Sequence, residues 1–122
     1  FTGQKKVDEL PAYITAYDVC INPQMVNDIT DGNYPLKIDE YLAMGKPTVA
    51  TSTHTMRHIF ANHTHLATNP EEWLSAIDRA VTEADDKELA KQRIAFAETH
   101  SWGHSVKKIY DIIDNFLKEK AT

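Results

Sequence analysis

NYPLKIDEYLAMGKPTVAT, residues 33–51, is the stretch that decides the fold. Pro35 is followed by apolar residues at helical spacing, which predicts a helix with proline at its favoured first position. Gly45 and Pro47 end that helix, since glycine accepts the left-handed conformation and proline cannot continue a helix. Residues 48–51 form a short run rich in β-branched side chains, which predicts a buried strand.

The rest of the chain alternates in the same way between helical and extended patterns. Before this stretch we predict a helix over 7–17, a strand over 19–21 and a loop over 24–33. After it we predict a helical turn near 55–60, a strand around 65–68, and helices from Asn69, over 86–98 and from Ser101. Buried strands that alternate with helices indicate an α/β fold with a parallel sheet, here with an all-helical C-terminal third.

Apolar spacing also predicts which side chains are buried. The helix from Asn69 carries a stripe of four such residues: Trp73, Leu74, Ile77 and Val81. The last helix carries an apolar face of six: Val106, Ile109, Tyr110, Ile113, Phe116 and Leu117. We expect Trp73 and Trp102 to lie in the core, and Cys20 to fill a small apolar site within its strand.

Length, charge and cysteine content exclude several classes. The 122 residues fit one domain, and 42% hydrophobic with 25% charged residues is typical of a globular chain. The formal charge of −5 argues against broad nucleic-acid binding, which needs clustered Lys and Arg. A single cysteine excludes an internal disulfide and a CxxC motif, and no apolar run is long enough to span a membrane.

The candidate site lies at the start of the helix after Pro35. This helix follows a parallel strand, and ligands of open α/β sheets bind at the carboxyl ends of the strands. Lys37 lies in the first turn, where a cation opposes the helix dipole, so a bound phosphate would account for it. Glu40 lies on the same face, where its carboxylate could accept hydrogen bonds from ribose hydroxyls. The alternative is an ordinary surface pair, worth ~0.2–0.5 kcal/mol.

Six histidines raise the alternative of a metal site. His54 and His58 have i, i+4 spacing, but zinc sites need three or four converging ligands. No HExxH motif occurs, and the pair His100 and His104 spans the predicted helix break at Ser101. We therefore expect surface histidines and no metal.

The same central stretch, PLKIDEYLAMGKPTVAT, resembles the donor-binding helix and following strand of the two-domain GT-B glycosyltransferases of the retaining group 1 type. Further segments resemble the family in the same order. Phe1–Gly3 resembles the end of a preceding strand, and Glu9–Tyr13 with Asp18-Val19 resembles a helix–strand pair. Asn69-Pro70 resembles the start of a later helix, and Ser101-Trp102 resembles the start of the last long helix. The resemblance covers nearly the whole chain. It implies a partial Rossmann-like sheet, and a chain that forms the second half of a nucleotide-sugar-binding domain, with the acceptor domain upstream.

The resemblance also implies roles for individual residues. The donor pyrophosphate would lie on the helix start, at Tyr34, Pro35, Leu36 and Lys37. Glu40 would hold the ribose. The family's other motif glutamate, which touches the donor sugar, falls on Gly32, with Asp31 beside it. The nucleotide-diphosphate sugar is then a co-substrate, and no cofactor is implied.

By resemblance the protein is a glycosyltransferase of glycan biosynthesis, which transfers a sugar from a nucleotide-sugar donor to a glycan, lipid or other acceptor. A cytoplasmic location follows, with peripheral membrane association of the full-length protein at the inner face. The alternative is a non-enzymatic flavodoxin- or receiver-like interaction module. That module needs an acidic cluster at the strand ends, whereas Asp18 begins its strand.

We expect the isolated 122-residue chain to be inactive, because catalysis requires groups held around the reacting centre. Nucleoside diphosphate release from a donor should not exceed the blank.

The chain should also self-associate, since an uncovered sheet edge pairs readily. A monomer at every concentration in a sedimentation series would contradict this second expectation.

Overall fold

Three parallel strands form the sheet in the computed structural model, which describes residues 2–121. The strands are β1 (Cys20–Asn22), β2 (Thr48–Thr51) and β3 (His65–Ala67), and β2 lies between the other two. All four residues of β2 are buried. A parallel sheet with a buried central strand confirms the predicted α/β fold.

Five α-helices and one π-helical turn complete the described chain. They are α1 (Leu10–Thr15), α2 (Leu36–Ala43), the π-helical turn (Met56–Phe60), α3 (Pro70–Thr82), α4 (Lys87–Glu98) and α5 (Trp102–Ala121). The C-terminal third is helical, as predicted. Among these helices of residues 2–121, none combines the length and apolar character required to cross a bilayer.

Capping side chains set several of the predicted helix starts. Asn69 Oδ1 accepts a hydrogen bond from the Glu72 N–H at 2.9 Å, and Asp86 Oδ1 accepts one from the Leu89 N–H at 3.0 Å. Ser101 Oγ accepts one from the His104 N–H at 3.2 Å. Each satisfies an N–H that the first helical turn leaves open.

Other predicted boundaries are wrong. The first helix is shorter than 7–17, because residues 7–9 form a turn in which the Glu9 carboxylate accepts from the Lys6 N–H at 3.0 Å. Pro35 is the N-cap of α2, not its first helical residue, since its ψ of 91° is extended. Thr2 and Gly3 form no strand, and Phe1 lies outside the described residues.

The core has one cluster on each face of the sheet. Ala50 of β2 packs with α2 and the π-helical turn, in a cluster of Ile38, Leu42, Ala50, Met56 and Phe60. Val49 packs on the opposite face with α3, in a cluster of Val49, Ala67, Ala76 and Ala80. The side chains of these two neighbouring residues thus point to opposite faces of the sheet, because side chains alternate along a strand.

The buried face of α3 differs from the predicted stripe. Ala76 and Ala80 are fully buried, whereas Leu74 is 68% and Val81 54% exposed. Small side chains on the sheet-facing side let the helix lie close to β3 and β2, so the larger residues turn outward. Trp73 and Ile77 are half-buried against this cluster.

Burial elsewhere confirms one prediction and corrects another. Cys20 is buried, as predicted, and this burial raises the pKa of its thiol to about 11. Trp102 is not a core residue, because 87% of it is exposed. It begins α5, in which no described residue is buried, so the apolar face of that helix is in contact with solvent.

The end of α2 approaches α4 closely at Gly45. Gly45 has a φ of +73°, which confirms the predicted left-handed cap. A Cβ atom added there would lie 3.1 Å from the Ala90 Cβ atom of α4.

Arg93 of α4 is 5% exposed and donates to the Gly45 carbonyl at 3.2 Å and to Glu83 at 2.5 Å. The carboxylate of Glu83 also contacts His65 at 2.9 Å.

Gly45→Ala should lower the free energy of unfolding by about 1–3 kcal/mol, because it adds a left-handed backbone penalty to a steric one. Gly32→Ala is the matched control, since Gly32 has open space around its Cα and no left-handed φ. That change should alter stability by less than about 1 kcal/mol. Urea unfolding of the two variants and the parent measures both values, and equal midpoints for the two variants would contradict the close-approach argument.

Candidate functional site

The N-terminus of α2 is open. Pro35 has no side chain that can cap the helix, and the Ile38 N–H donates back to the Pro35 carbonyl at 3.0 Å. Within residues 2–121, the backbone N–H groups of Leu36 and Lys37 donate to no acceptor. Two free N–H groups at the positive end of a helix can bind an anion.

This helix start lies at the edge of the sheet where ligands of such folds bind. β1 ends at Asn22, and residues 23–35 lead from that carboxyl end directly into α2. β2 and β3 run parallel to β1, so their carboxyl ends lie at the same edge. The position agrees with the crevice at which open α/β sheets bind ligands.

Lys37 and Glu40 line one groove between α1 and α2. The groove has a volume of about 240 Å³, and its walls include Gly3, Lys5 and Tyr13. Lys37 and Glu40 are both exposed, and no ion pair within residues 2–121 joins them. Their charges are therefore available to a ligand, and the geometry lacks the surface pair that was the alternative.

The other residues predicted at the helix start are arranged differently. Pro35 has no N–H to offer, so only its neighbours can donate. Leu36 contributes its free N–H, while its exposed side chain lines a separate cavity of about 380 Å³ with Trp102. Tyr34 also lines this second cavity, so its side chain lies apart from the groove of Lys37 and Glu40.

Tyr34 belongs to a side-chain network that the sequence analysis did not find. Its hydroxyl donates to Asp39 Oδ2, and Asp39 Oδ1 lies 2.8 Å from Nδ1 of His100. Burial, followed by the hydrogen bond to Asp39, raises the pKa of the Tyr34 phenol. Asp39 and His100 are 61 positions apart, and no spacing pattern signals a contact of that kind.

Asp31 and Gly32, the residues predicted to meet the donor sugar, belong to the loop before α2. Asp31 Oδ1 accepts from the His54 N–H at 2.8 Å, and the Asp31 carbonyl accepts from the Thr55 N–H at 3.2 Å. Asp31 thus caps the helical segment after β2. Gly32 is exposed and has open space beside it.

The histidine side chains make ring contacts at different places in the fold. His54 stacks on His58 with ring centroids 4.0 Å apart, and His63 stacks on Phe96 at 4.0 Å. Burial lowers the pKa of His63. Across the described chain, no group of three or more His, Cys, Asp or Glu side chains is placed to hold a metal ion.

A second surface at the carboxyl ends of the strands was also not predicted. It is an open cleft of about 590 Å³ between the loop after β1 and the start of α3, with walls that include Met25, Thr51 and Trp73. The Thr51 hydroxyl accepts from the Gln24 N–H at 2.8 Å, which holds this loop to the end of β2.

Comparisons with known proteins agree on one family. The family model described as "Glycosyl transferases group 1" matches residues 1–83. The chain is also similar to the "Putative teichuronic acid biosynthesis glycosyltransferase TuaH" of Bacillus subtilis (strain 168), with 28% identity over 105 residues. That alignment covers 84% of this chain and 26% of the relative, so the chain spans about a quarter of the relative's length. No solved structure matches significantly.

Asp31→Ala should cost about 0.5–2 kcal/mol of stability, because it removes the acceptor that caps the His54 N–H. Asp31→Asn should retain part of that stability, since an amide oxygen can still accept. Asp28→Ala is the control, since Asp28 is an exposed carboxylate of the same loop. Thermal unfolding compares the three variants, and an unchanged melting temperature in Asp31→Ala would refute the capping role.

Proposed function

Since the chain belongs to the group 1 glycosyl transferases, we propose that it binds the nucleotide-sugar donor of a glycosyltransferase. The whole protein transfers the sugar to a glycan, lipid or other acceptor in glycan biosynthesis. In this proposal the chain is part of the donor-binding domain, and an N-terminal domain binds the acceptor. The proposed location is cytoplasmic, with the full-length protein peripheral to the inner face of the membrane.

One observation carries the donor assignment. Lys37 and Glu40 line one groove, and Lys37 also carries one of the two free N–H groups at the start of α2. A nucleoside diphosphate needs cationic and N–H contacts for its phosphates, and acceptors for its ribose hydroxyls. The groove offers both kinds of group within one helical turn.

The diphosphate would then lie on the N–H groups of Leu36 and Lys37. The ammonium of Lys37 supplies the first cation, and Lys5 lines the same groove and can supply a second. Glu40 lies one turn further along α2, where its carboxylate would accept hydrogen bonds from the ribose. Lys5 also lies over the ring of Tyr13, 4.8 Å from its centroid, which holds the cation at the groove wall.

The same contacts would assist the chemical step. When the bond between the anomeric carbon and the diphosphate oxygen breaks, the electron pair leaves with the diphosphate. The acceptor oxygen forms the new bond to that carbon, and its proton passes to the diphosphate oxygen that the broken bond releases. Lys37 and the N–H groups would stabilise the negative charge that develops on the leaving group, which is where such groups contribute most. The chain's own groups would perform this task without a metal or cofactor.

The donor sugar would meet the loop before α2 at Asp31 and Gly32. Asp31 uses Oδ1 to cap the segment after β2, which leaves Oδ2 and the exposed backbone of Gly32 for a sugar hydroxyl.

Lys37→Ala should weaken binding of UDP or GDP by about 10- to 150-fold, because a charge-assisted contact is typically worth ~1.5–3 kcal/mol. Stability should stay the same or improve, since a cation is removed from the positive end of the helix. Calorimetric titration of both nucleotides into the full-length protein measures the affinity, and thermal melts measure the stability.

Glu40→Gln should weaken binding less than Lys37→Ala, because the amide oxygen can still accept one hydrogen bond. Lys91→Ala is the matched control, since Lys91 is an exposed cation of α4 and should leave affinity unchanged. If Lys37→Ala binds both nucleotides as the parent does, the phosphate assignment is wrong.

A further inference from the structure

His100 connects two parts of the chain that are far apart in sequence. It lies between the end of α4 and the start of α5, and its Nδ1 is 2.8 Å from Asp39 Oδ1. The same Nδ1 is 3.2 Å from the Tyr34 hydroxyl oxygen, and that hydroxyl donates to Asp39 Oδ2. Three side chains therefore form one closed network at the start of α2.

The network has a defined pattern of protons. An ionised carboxylate only accepts, so both of its contacts must be donors. Tyr34 donates its O–H to one oxygen, and His100 therefore donates Nδ1–H to the other. This pattern fixes the imidazole with its proton on Nδ1 and leaves Nε2 outside the network.

Aromatic rings hold His100 in this position. Its ring makes edge contacts with Phe60 and Phe96, at centroid distances of 5.5 and 4.7 Å. Phe60 is fully buried and also contacts Tyr34 at 5.7 Å. Because packing already restricts the rings, the hydrogen bonds to Asp39 form with little further loss of side-chain entropy.

Along the chain, the network flanks the two backbone groups that the donor proposal uses. Tyr34 precedes Leu36 and Lys37 in the chain, and Asp39 follows them in the first turn of α2. No side chain among residues 2–121 caps this helix, and Pro35 cannot donate. Packing of the buried Ile38 anchors the same turn in the core, and the Tyr34–Asp39–His100 contacts add the side-chain hydrogen bonds that tie this turn to the segment after α4.

We propose that His100 is a positioning residue for donor binding, which acts through Asp39 and Tyr34 to hold the free N–H groups of Leu36 and Lys37 in place. It does not touch the donor. This inference rests on the proposed function, because it assigns the diphosphate to the start of α2. A binding site held in place before the ligand arrives loses less free energy on binding.

The test measures binding of UDP and GDP to the full-length protein by calorimetry, with urea unfolding of each variant. His100→Ala should weaken binding of the nucleotide that the parent prefers by about 5- to 30-fold. His100→Asn can place an N–H donor near the position of Nδ1–H and should restore affinity to within about threefold of the parent. His104→Ala is the matched control, since His104 is an exposed histidine of the same junction and should bind as the parent does.

Tyr34→Phe provides a second variant that disturbs folding less. It removes the donor to Asp39 and keeps the ring against Phe60, so affinity should fall by about two- to tenfold. If His100→Ala does not fold, this variant decides the question. Parent-like affinity in Tyr34→Phe, or in a folded His100→Ala, overturns the positioning role, even where stability falls.

Lys37→Ala, measured in the same series, separates the two proposals. If Lys37→Ala weakens binding and His100→Ala does not, the donor site stands and the positioning role is wrong. If Lys37→Ala binds as the parent does, or the parent binds neither nucleotide, the proposed function fails and the positioning role fails with it. In the double variant, a positioning role predicts a loss smaller than the product of the two single losses.

Discussion

The docking of α2 on α4 is the contact on which the rest of the structure depends. At the end of α2, Gly45 allows close approach to Ala90, and the buried Arg93 holds the Gly45 carbonyl. At its start, Asp39 is held by His100, just beyond α4. The helix is thus fixed at its end by α4 and at its start by His100, which lies two residues beyond α4. Because its first turn carries the free N–H groups, the geometry of the candidate site follows from helix packing rather than from the loop before it.

Local signals predicted the elements of the fold well, because turns, caps and short apolar runs act over a few residues. β2 and the left-handed Gly45 are examples. Burial was harder to predict. Leu74 and Val81 are more hydrophobic than Ala76 and Ala80, yet the alanines face the sheet, since close approach of a helix to strands rewards small side chains. Hydrophobic spacing does not report how close two elements come. The prediction for Trp102 was wrong for a different reason, since no described residue of α5 is buried.

The candidate site shows the same division. Lys37 and Glu40 could be found from the sequence, because a spacing of three puts them on one helix face. The partner of Asp39 could not, since His100 reaches it only after α4 docks on α2. Asp31 is a further case: the sequence placed it beside the helix start, but its contact with His54 depends on where β2 ends relative to the loop. Contacts between distant segments require the packed structure.

Burial of Cys20 gives the folded chain a chemical property of its own. Thiol reagents react with the thiolate. A thiol with a pKa of about 11 stays protonated at neutral pH, and its burial keeps the reagent from reaching the sulfur. Cys20 pairs with Thr48 at the first position of the β1–β2 ladder. Alkylation at neutral pH therefore requires an opening that exposes this side chain, so its rate under slow-labelling conditions reports how often the packing around β1 opens.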